Sequence, residues 1–257
     1  MMKAEIKSFT LELGLDDVGF ASASDYHSPN SPPLTSIFPQ VKSLIITALH
    51  ELDNCESENP QIAYNGRMEL MEFARSANYK LARFLQKKYN AKIMSIPLSY
   101  PLEMSGQTKG GIADVSLRHA AVAAGLGTFG RHNLLIHPRF GSRIIFSGIL
   151  TDMEFTSDTP AKDLCTHCNL CVDSCPGDAL RDEGKTHLMK CIKNSQPYGI
   201  STTIRFWRDF IDSSPEKQKE MVSDPQFWRL YQAGSMSFQY FCFNCLAKCP
   251  IGRNSSC

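Results

Sequence analysis

Two cysteine runs constrain the fold of this chain more than any other feature of its sequence. The first reads Cys165-x2-Cys168-x2-Cys171-x3-Cys175-Pro176, and the second reads Cys242-x2-Cys245-x3-Cys249-Pro250. Thiolates at this spacing, with proline after the last one, are the ligation pattern of proteins that hold two [4Fe-4S] clusters. In that pattern the first three cysteines of a run bind one cubane and the fourth binds the other. The chain is therefore expected to transfer electrons one at a time.

The second run is one cysteine short, because Gln239 stands where an alignment with the first run would place the missing thiol. Cys191 lies between the runs after a predicted turn and helix, so it can fold back onto the second cluster. Cys257 ends the chain, where residues are usually frayed, and Cys55 lies in a polar loop far upstream. The predicted ligand sets are Cys165, Cys168, Cys171 and Cys249 for one cluster, and Cys175, Cys191, Cys242 and Cys245 for the other.

Zinc and disulfide bonds are the alternative uses of these cysteines. Zinc sites favour two CxxC pairs set well apart, and a four-cysteine run that ends in Cys-Pro fits that spacing poorly. Disulfides suit secreted chains, and the first residues contain Glu5 and no apolar core of a signal peptide. The pattern therefore favours iron–sulfur clusters.

The composition indicates a cytoplasmic protein with an ample core. Hydrophobic residues make up 42% of the 257 positions, and the formal net charge is +1. This balance gives no indication of a nucleic acid as the main partner, and no polybasic run points to a membrane surface. No stretch approaches the ~18–20 continuous apolar residues of a membrane span.

Apolar periodicity divides the chain into two parts. It predicts helices over 3–14, 68–89 and 116–124, and strands over 18–21, 41–49, 91–96, 134–137 and 143–150. The composition changes after residue 151, and the cysteines begin shortly afterwards. We therefore expect an α/β domain over 1–155 and a ferredoxin-like domain with two [4Fe-4S] clusters over 156–257. A helical insert is predicted over 195–238, between the two cysteine runs.

Residues 116–152 are the most distinctive stretch outside the cysteines. Their glycines permit positive φ angles and close backbone approach, and Arg131, His132, His137, Arg139 and Arg143 add cationic or hydrogen-bonding groups. A site for a large amide- or phosphate-bearing ligand would need such a combination. Loops that simply join a helix to two strands would look similar.

This stretch also resembles a known family. The run AAGLGTFGRHNLLI, followed by FGSR, a hydrophobic strand, TD and the first cysteine run, is similar to the epoxyqueuosine reductase and reductive dehalogenase superfamily. The resemblance extends from about residue 110 to 252, with looser agreement upstream. It supports the choice of Cys191, because epoxyqueuosine reductases carry an equivalent cysteine between their two runs.

The resemblance implies an α+β fold with a nitroreductase-like N-terminal domain that binds a corrinoid (cobalamin) beside the double-cluster domain. It implies a reductase whose clusters receive electrons from a low-potential donor of the ferredoxin or flavodoxin type and pass them to cobalt, for reduction of a small substrate. The residues expected to hold the corrinoid are Gly125, Leu126, Gly127, Gly130, Arg131, Asn133, Gly141 and Ser142.

The proton donor is less clearly marked. Epoxyqueuosine reductases carry an aspartate in a short Asp-Ser-Ala-type motif, where this chain has Gly111, with Asp114 three residues later. Tyr100, Asp114 and His119 are the candidate catalytic proton donors near the expected pocket.

Three alternatives remain open. The protein could reduce and thereby reactivate the corrinoid of a partner protein, a role that needs no proton donor. It could be a ferredoxin-like electron carrier with an appended docking domain and no active site. A flavin in the upstream domain is a further option, although no GxGxxG fingerprint stands at a strand–helix junction.

Overall fold

A mixed set of helices and strands forms the described residues, 2–98, 112–235 and 240–253, of the computed structural model. The strands are β1 (Asp17–Ser22), β2 (Ser43–His50), β3 (Ile93–Ser95), β4 (Thr128–Phe129), β5 (Leu135–Ile136) and β6 (Ile144–Thr151). The α-helices are α1 (Met2–Glu12), α2 (Leu34–Ile37), α3 (Pro60–Tyr89), α4 (Leu117–Ala123), α5 (Leu170–Asp173), α6 (Leu188–Ser195), α7 (Ile200–Ile211), α8 (Pro215–Ser223), α9 (Pro225–Ser235) and α10 (Asn244–Ala247). Tyr100 and Gly111 lie outside the described residues.

Four strands form an antiparallel sheet in the order β1-β2-β6-β3. The two central strands, β2 and β6, are buried on both faces, which explains why they read as almost continuous apolar runs. Side chains of a strand alternate between its faces. Ile45 and Ile149 therefore enter one core with α1 and α3, whereas Leu44 and Ile46 enter another with α4. The sheet thus lies between two helical layers.

The long helix α3 begins at Pro60 rather than at Met68. The Asn59 side chain accepts a hydrogen bond from the Gln61 N–H, and proline occupies the first turn, where its missing N–H costs nothing. Asn90 ends the helix in the left-handed conformation, with φ 54°. The early turns lack a clear apolar stripe, so periodicity alone does not reveal them.

The segment that carries the cysteines follows β6 and begins along the sheet edge. Asp158 pairs with edge strand β1: its N–H donates to the Phe20 carbonyl at 2.8 Å, and its carboxylate accepts from the Phe20 N–H at 3.0 Å. Lys3 forms an ion pair with Asp158 at 2.8 Å. The predicted boundary at residue 155 remains a prediction, and the first residues beyond it pack against the upstream sheet.

The expected helical insert is present as α7, α8 and α9. Their aromatic residues contact one another, with Phe206, Trp207, Phe227 and Trp228 forming successive ring pairs. Within the described ranges, no helix combines the length and the apolar character needed to cross a membrane.

Two glycines allow the end of the chain to dock against the loop before β6. Gly141, with φ +61°, faces the Ile251 carbonyl so closely that an added Cβ would collide with it. Gly252, with φ +79°, meets the backbone of Phe140 and Gly141 in the same way. Any larger side chain at either position would push the last cysteine run away from the sheet.

We expect Gly141→Ala to destabilise the protein strongly. The substitution adds a backbone clash to the ~1–2 kcal/mol cost of a left-handed conformation for an L-residue. Gly184→Ala is the matched control, because Gly184 also has positive φ (+69°) but meets nothing within 4 Å. Thermal unfolding monitored by circular dichroism should show a clearly larger decrease in Tm for Gly141→Ala than for the control. Equal decreases would contradict the docking role.

Candidate functional site

The structure brings Cys165, Cys168, Cys171 and Cys249 together around one small cavity. We call these residues the first thiol set. His167 and Asn169 adopt left-handed conformations, with φ 51° and 60°, which lets the loop wrap around the site before α5 begins. Burial raises the pKa of the Cys171 thiol, and the charges of the other three thiols in the set raise it further.

Four other cysteines form a second thiol set around a larger cavity: Cys175, Cys191, Cys242 and Cys245. Cys191 lies in α6, which folds back between the two runs. Burial raises the pKa of Cys245 to about 12, with further contributions from the charges of the neighbouring thiols. Cys171 of the first set is among those neighbours, so the two sets lie close to each other.

The two cysteine runs exchange their last cysteines: Cys175, at the end of the first run, belongs to the second set, and Cys249, at the end of the second run, belongs to the first set. Short helix α5 carries Cys171 of the first set, and the following Cys175 belongs to the second set. Short helix α10 carries Cys245 of the second set, and the following Cys249 belongs to the first. The Asn244 side chain donates to the Ser174 carbonyl at 3.3 Å and joins the two segments. This is the arrangement that the spacing predicts for two cubane clusters.

The donor chemistry of both sets fits [4Fe-4S] clusters. Each set supplies four thiols that line one cavity. The raised thiol pKa values mean that cluster binding must displace protons. The ligand assignment itself remains a prediction.

Three hydrogen-bonding groups contact sulfur atoms of the sets. The backbone N–H of Arg131 donates to Cys165 Sγ at 3.3 Å, and that of Ala179 donates to Cys175 Sγ at 3.3 Å. The Tyr240 hydroxyl lies 3.4 Å from Cys191 Sγ. Either atom of this pair can be the donor. Burial, reinforced by the Cys191 charge, raises the pKa of Tyr240 and so favours its protonated hydroxyl. Hydrogen bonds to sulfur are one determinant of cluster reduction potential.

Arg143, which lies directly before β6, connects the last cysteine run to the upstream domain. Its guanidinium donates to three backbone carbonyls at the end of that run and just after it: Ala247 at 3.1 Å, Cys249 at 3.0 Å and Ile251 at 3.2 Å. Glu56 neutralises the buried guanidinium by an ion pair. The carbonyls at the end of α10, which have no partner within the helix, are satisfied in this way.

Arg67 of α3 contacts the segment that carries Cys242 and Cys245 of the second set. Its guanidinium forms a two-pronged ion pair with buried Glu51, at 3.1 and 2.8 Å, and donates to the Cys55 and Ala63 carbonyls. The Phe243 ring, between Cys242 and Cys245, stacks 3.4 Å from the guanidinium carbon. Burial raises the pKa of Glu51 to about 7 although Arg67 opposes this shift.

The larger cavity lies between the second thiol set and the upstream domain, and we call it the interdomain cavity. It has a volume of about 500 Å³. Its polar lining comes from both sides: Asn30, Arg118, His132, Asn133, Lys185, Thr186, His187, Asn194, Tyr240 and Asn244. Arg118 also donates to the Asn133 carbonyl. A ligand here would lie beside the second set.

The residues predicted to hold a corrinoid mostly contact protein. An added Cβ would strike the Thr159 carbonyl at Gly125 and the Ile136 carbonyl at Gly127, and Leu126 is buried in the core. A Cβ added at Gly130 would come within 2.7 Å of the His132 ring. The Arg131 guanidinium binds the Leu180 and Arg181 carbonyls at 2.7 Å.

The remaining predicted positions divide between packing and cavity. Gly141 packs against the Ile251 carbonyl, and the Ser142 hydroxyl donates to the Leu246 carbonyl at 3.1 Å. Asn133 lines the interdomain cavity. The glycine-rich stretch therefore allows close protein packing, and its role in corrinoid binding remains a prediction that rests mainly on Asn133.

The candidate proton donors are not gathered at the cavity. Tyr100 lies outside the described residues, and neither Asp114 nor His119 is among the described residues that line the interdomain cavity. His119 Nδ1 lies 2.8 Å from the Ser116 hydroxyl. Burial, with a smaller effect of Arg118, lowers the pKa of His119, which favours the neutral imidazole. Their catalytic roles stay predictions.

The fit to a corrinoid is partial. The amide, hydroxyl and cationic groups of the cavity suit the polar rim of such a cofactor, and about 500 Å³ is typical of a site for a drug-sized ligand. A corrinoid is much larger, and the cavity also borders the second set. The described residues thus match one edge of a corrinoid and not the whole molecule.

Comparison with known proteins identifies relatives of this chain. The family described as a 4Fe-4S binding domain matches residues 161–181. The epoxyqueuosine reductase of Listeria monocytogenes is 35% identical over 144 residues, which cover 56% of this chain and 31% of the relative. That of Bacillus anthracis is 25% identical over 219 residues, which cover 74% and 55%. The chain therefore spans between about a third and about half of these curated relatives.

Solved structures share the fold. An epoxyqueuosine reductase crystallised with an epoxyqueuosine-modified tRNA stem loop superposes with a TM-score of 0.60 at 19% identity, over 99% of this chain and 66% of that one. A catabolic reductive dehalogenase superposes with a TM-score of 0.61 at 17% identity, over 98% and 32%. The resemblance to this superfamily and the predicted α+β fold class are confirmed.

We expect Cys191→Ala to lose one cluster. Anaerobically prepared protein should contain about four irons per chain in place of about eight, because the second set would lack one of its four thiolates. Cys55→Ala is the control, since Cys55 is buried away from both sets. Iron analysis and absorption spectroscopy measure the difference. Full iron content in Cys191→Ala would exclude Cys191 as a ligand.

We expect Arg67→Ala to destabilise the protein by about 3–5 kcal/mol, because it leaves Glu51 buried without its partner. The loss should stay nearly constant from about pH 4.5 to about 7, because Glu51 then binds a proton in the folded state of both proteins and both lose stability with the same slope. It should grow above about pH 7, because Glu51 ionises in the parent protein, whereas the loss of Arg67 raises the folded-state pKa of Glu51 further in the variant. Chemical unfolding at several pH values measures this dependence.

Arg75→Ala is the control for this effect, because Arg75 lies on the same helix and is exposed. Glu51→Gln should remove the pH dependence that Arg67→Ala accentuates. A pH-independent loss of stability in Arg67→Ala would contradict the assigned role of Glu51.

Proposed function

We propose that this protein is an iron–sulfur oxidoreductase that binds a [4Fe-4S] cluster at each thiol set and passes electrons to a corrinoid for reduction of a small substrate. The principal observation is that the two thiol sets are adjacent and that the second one borders the polar interdomain cavity. When bound, the clusters exchange single electrons and a corrinoid supplies a reducing cobalt centre. One structural relative is described in connection with B12-dependent dehalogenation, which supports this choice of acceptor.

The protein side of this function is placement. Arg143 and Arg67 hold the cysteine segments against the sheet, and Cys171 and Cys249 are the buried members of the first set, whereas Cys168 is exposed. The second set borders the cavity, so it is the set from which an electron would leave. Arg118 and Asn133 would face the edge of a ligand bound there. A low-potential donor of the ferredoxin or flavodoxin type would supply the first set.

A second function is supported by the size of the cavity. Because about 500 Å³ admits one edge of a corrinoid, the acceptor could be the corrinoid of a partner protein, which this chain would reduce and so reactivate. This role requires no proton donor, in agreement with the positions of Asp114 and His119. An electron carrier without an active site is the simplest alternative.

The test is anaerobic purification followed by iron and cobalt analysis, with absorption and EPR spectra before and after adding cobalamin. About eight irons with a stoichiometric corrinoid signal are expected. Eight irons without corrinoid binding would favour the reactivation role, and reduction of an added corrinoid protein would then distinguish it from a simple carrier. About four irons or fewer would contradict the two-cluster proposal.

Arg118→Met should weaken corrinoid binding between about tenfold and a hundredfold without loss of iron, since a hydrogen bond to a charged group contributes about 1.5–3 kcal/mol. Arg83→Met is its matched control, because Arg83 is an exposed residue of α3 far from the cavity. Equal affinities of the two variants would mean that the cavity is not the corrinoid site.

A further inference from the structure

His132 stands between the two thiol sets and the interdomain cavity. It lies in the turn between β4 and β5, and it is a lining residue of both the cavity of the first set and the interdomain cavity. Only 3% of the residue is exposed. None of the functions assigned above uses this imidazole.

The hydrogen bonds of the ring fix where its proton lies. Nδ1 accepts a hydrogen bond from the Leu134 N–H at 3.1 Å, so the single proton of a neutral imidazole must be on Nε2. Burial lowers the pKa of His132 to about 4, and the ring is therefore neutral near pH 7. Nε2 has no hydrogen-bond partner among the described residues.

A buried donor without an acceptor costs about 1–3 kcal/mol, and buried polar groups in native proteins nearly always have partners. The rest of the first cavity consists of four thiols, of apolar groups such as Ile136 and Ile251, and of three polar residues, Arg131, Thr166 and Asn169. Sulfur atoms are therefore the most numerous acceptors there. The preceding residue, Arg131, already directs its N–H to Cys165 Sγ at 3.3 Å.

The turn holds the ring in place. The Gly130 N–H donates to the Leu134 carbonyl and the Asn133 N–H donates to the Gly130 carbonyl, both at 2.8 Å. A Cβ at residue 130 would come within 2.7 Å of the His132 Cε1 atom, so glycine leaves the space that the imidazole needs. The hydrogen bonds of the turn and the glycine at position 130 therefore leave a defined space for the imidazole.

We propose that the Nε2–H of His132 donates a hydrogen bond to a sulfur atom of the cluster held by the first thiol set and raises the reduction potential of that cluster. This inference rests on the proposed two-cluster function. A donor facing sulfur stabilises the reduced cluster, which carries one more negative charge, over the oxidised one. Two consecutive residues, Arg131 and His132, would then tune the same cluster from the upstream domain.

The test is a potentiometric titration of the full chain followed by EPR. His132→Leu removes the donor, and we expect the midpoint potential of one cluster to fall by about 59 mV, a tenfold change for a one-electron couple. His132→Gln restores an N–H at similar reach and should recover most of the shift. The same titration in a Cys191→Ala background, which would retain the first cluster alone, identifies the cluster that responds.

His137→Leu is the matched control. His137 is also 3% exposed, but its Nε2 lies 3.3 Å from the Asp17 carboxylate and its Nδ1 accepts from the Arg139 N–H. It lines neither cavity. We expect no change of either potential in this variant. A shift as large as that of His132→Leu would show a general effect of lost packing and overturn the proposal.

A measurement on the unaltered protein covers the case in which His132→Leu fails to fold. In ¹⁵N-histidine-labelled protein, pulsed EPR of the reduced first cluster should detect a weak coupling to one histidine nitrogen. No coupling, or a response confined to the second cluster, would overturn the inference. Iron analysis separates the two failures: about eight irons with no coupling leaves the proposed function standing, whereas missing iron contradicts that function itself.

Discussion

The architecture depends on the exchange of Cys175 and Cys249 between the two cysteine runs. Because the last cysteine of each run belongs to the other set, neither run can complete a set of four thiols by itself. Segments separated by the whole helical insert must therefore meet, and such long-range closure costs chain entropy. The contact between α5 and α10 brings the segments together, and the upstream domain holds them there.

Two buried arginines carry much of this support. Arg67 reaches the second set through the Phe243 ring, and Arg143 reaches the first through the Cys249 carbonyl. Burying a guanidinium is costly unless a carboxylate and further acceptors compensate it, and Glu51 and Glu56 provide the carboxylates. The upstream domain is thus a scaffold for the cysteine segments as well as one wall of the cavity.

The sequence was sufficient for the four strands of the sheet and for most helices, because these depend on apolar period. The grouping of the cysteines into two ligand sets follows from their spacing and remains a prediction. The sequence could not show what the glycines do: Gly127 and Gly141 admit a neighbouring backbone, and a glycine that admits a ligand would look the same. Arg67 and Glu51 belong to different elements and carry no local signal of pairing. The unpartnered Nε2 of His132 likewise appears only in three dimensions.

The exchanged cysteines also have a consequence for biosynthesis. A nascent chain that has just completed the first run has only three thiols of the first set, and it waits for the residues near 249 before either set is complete. Domains generally fold as units while synthesis proceeds from the N-terminus, so the sheet can form before any metal is bound. A ribosome that stops before Cys249 would then release a folded scaffold without both sets of four thiols, and under the proposed function only chains translated beyond this residue would be competent to receive both clusters.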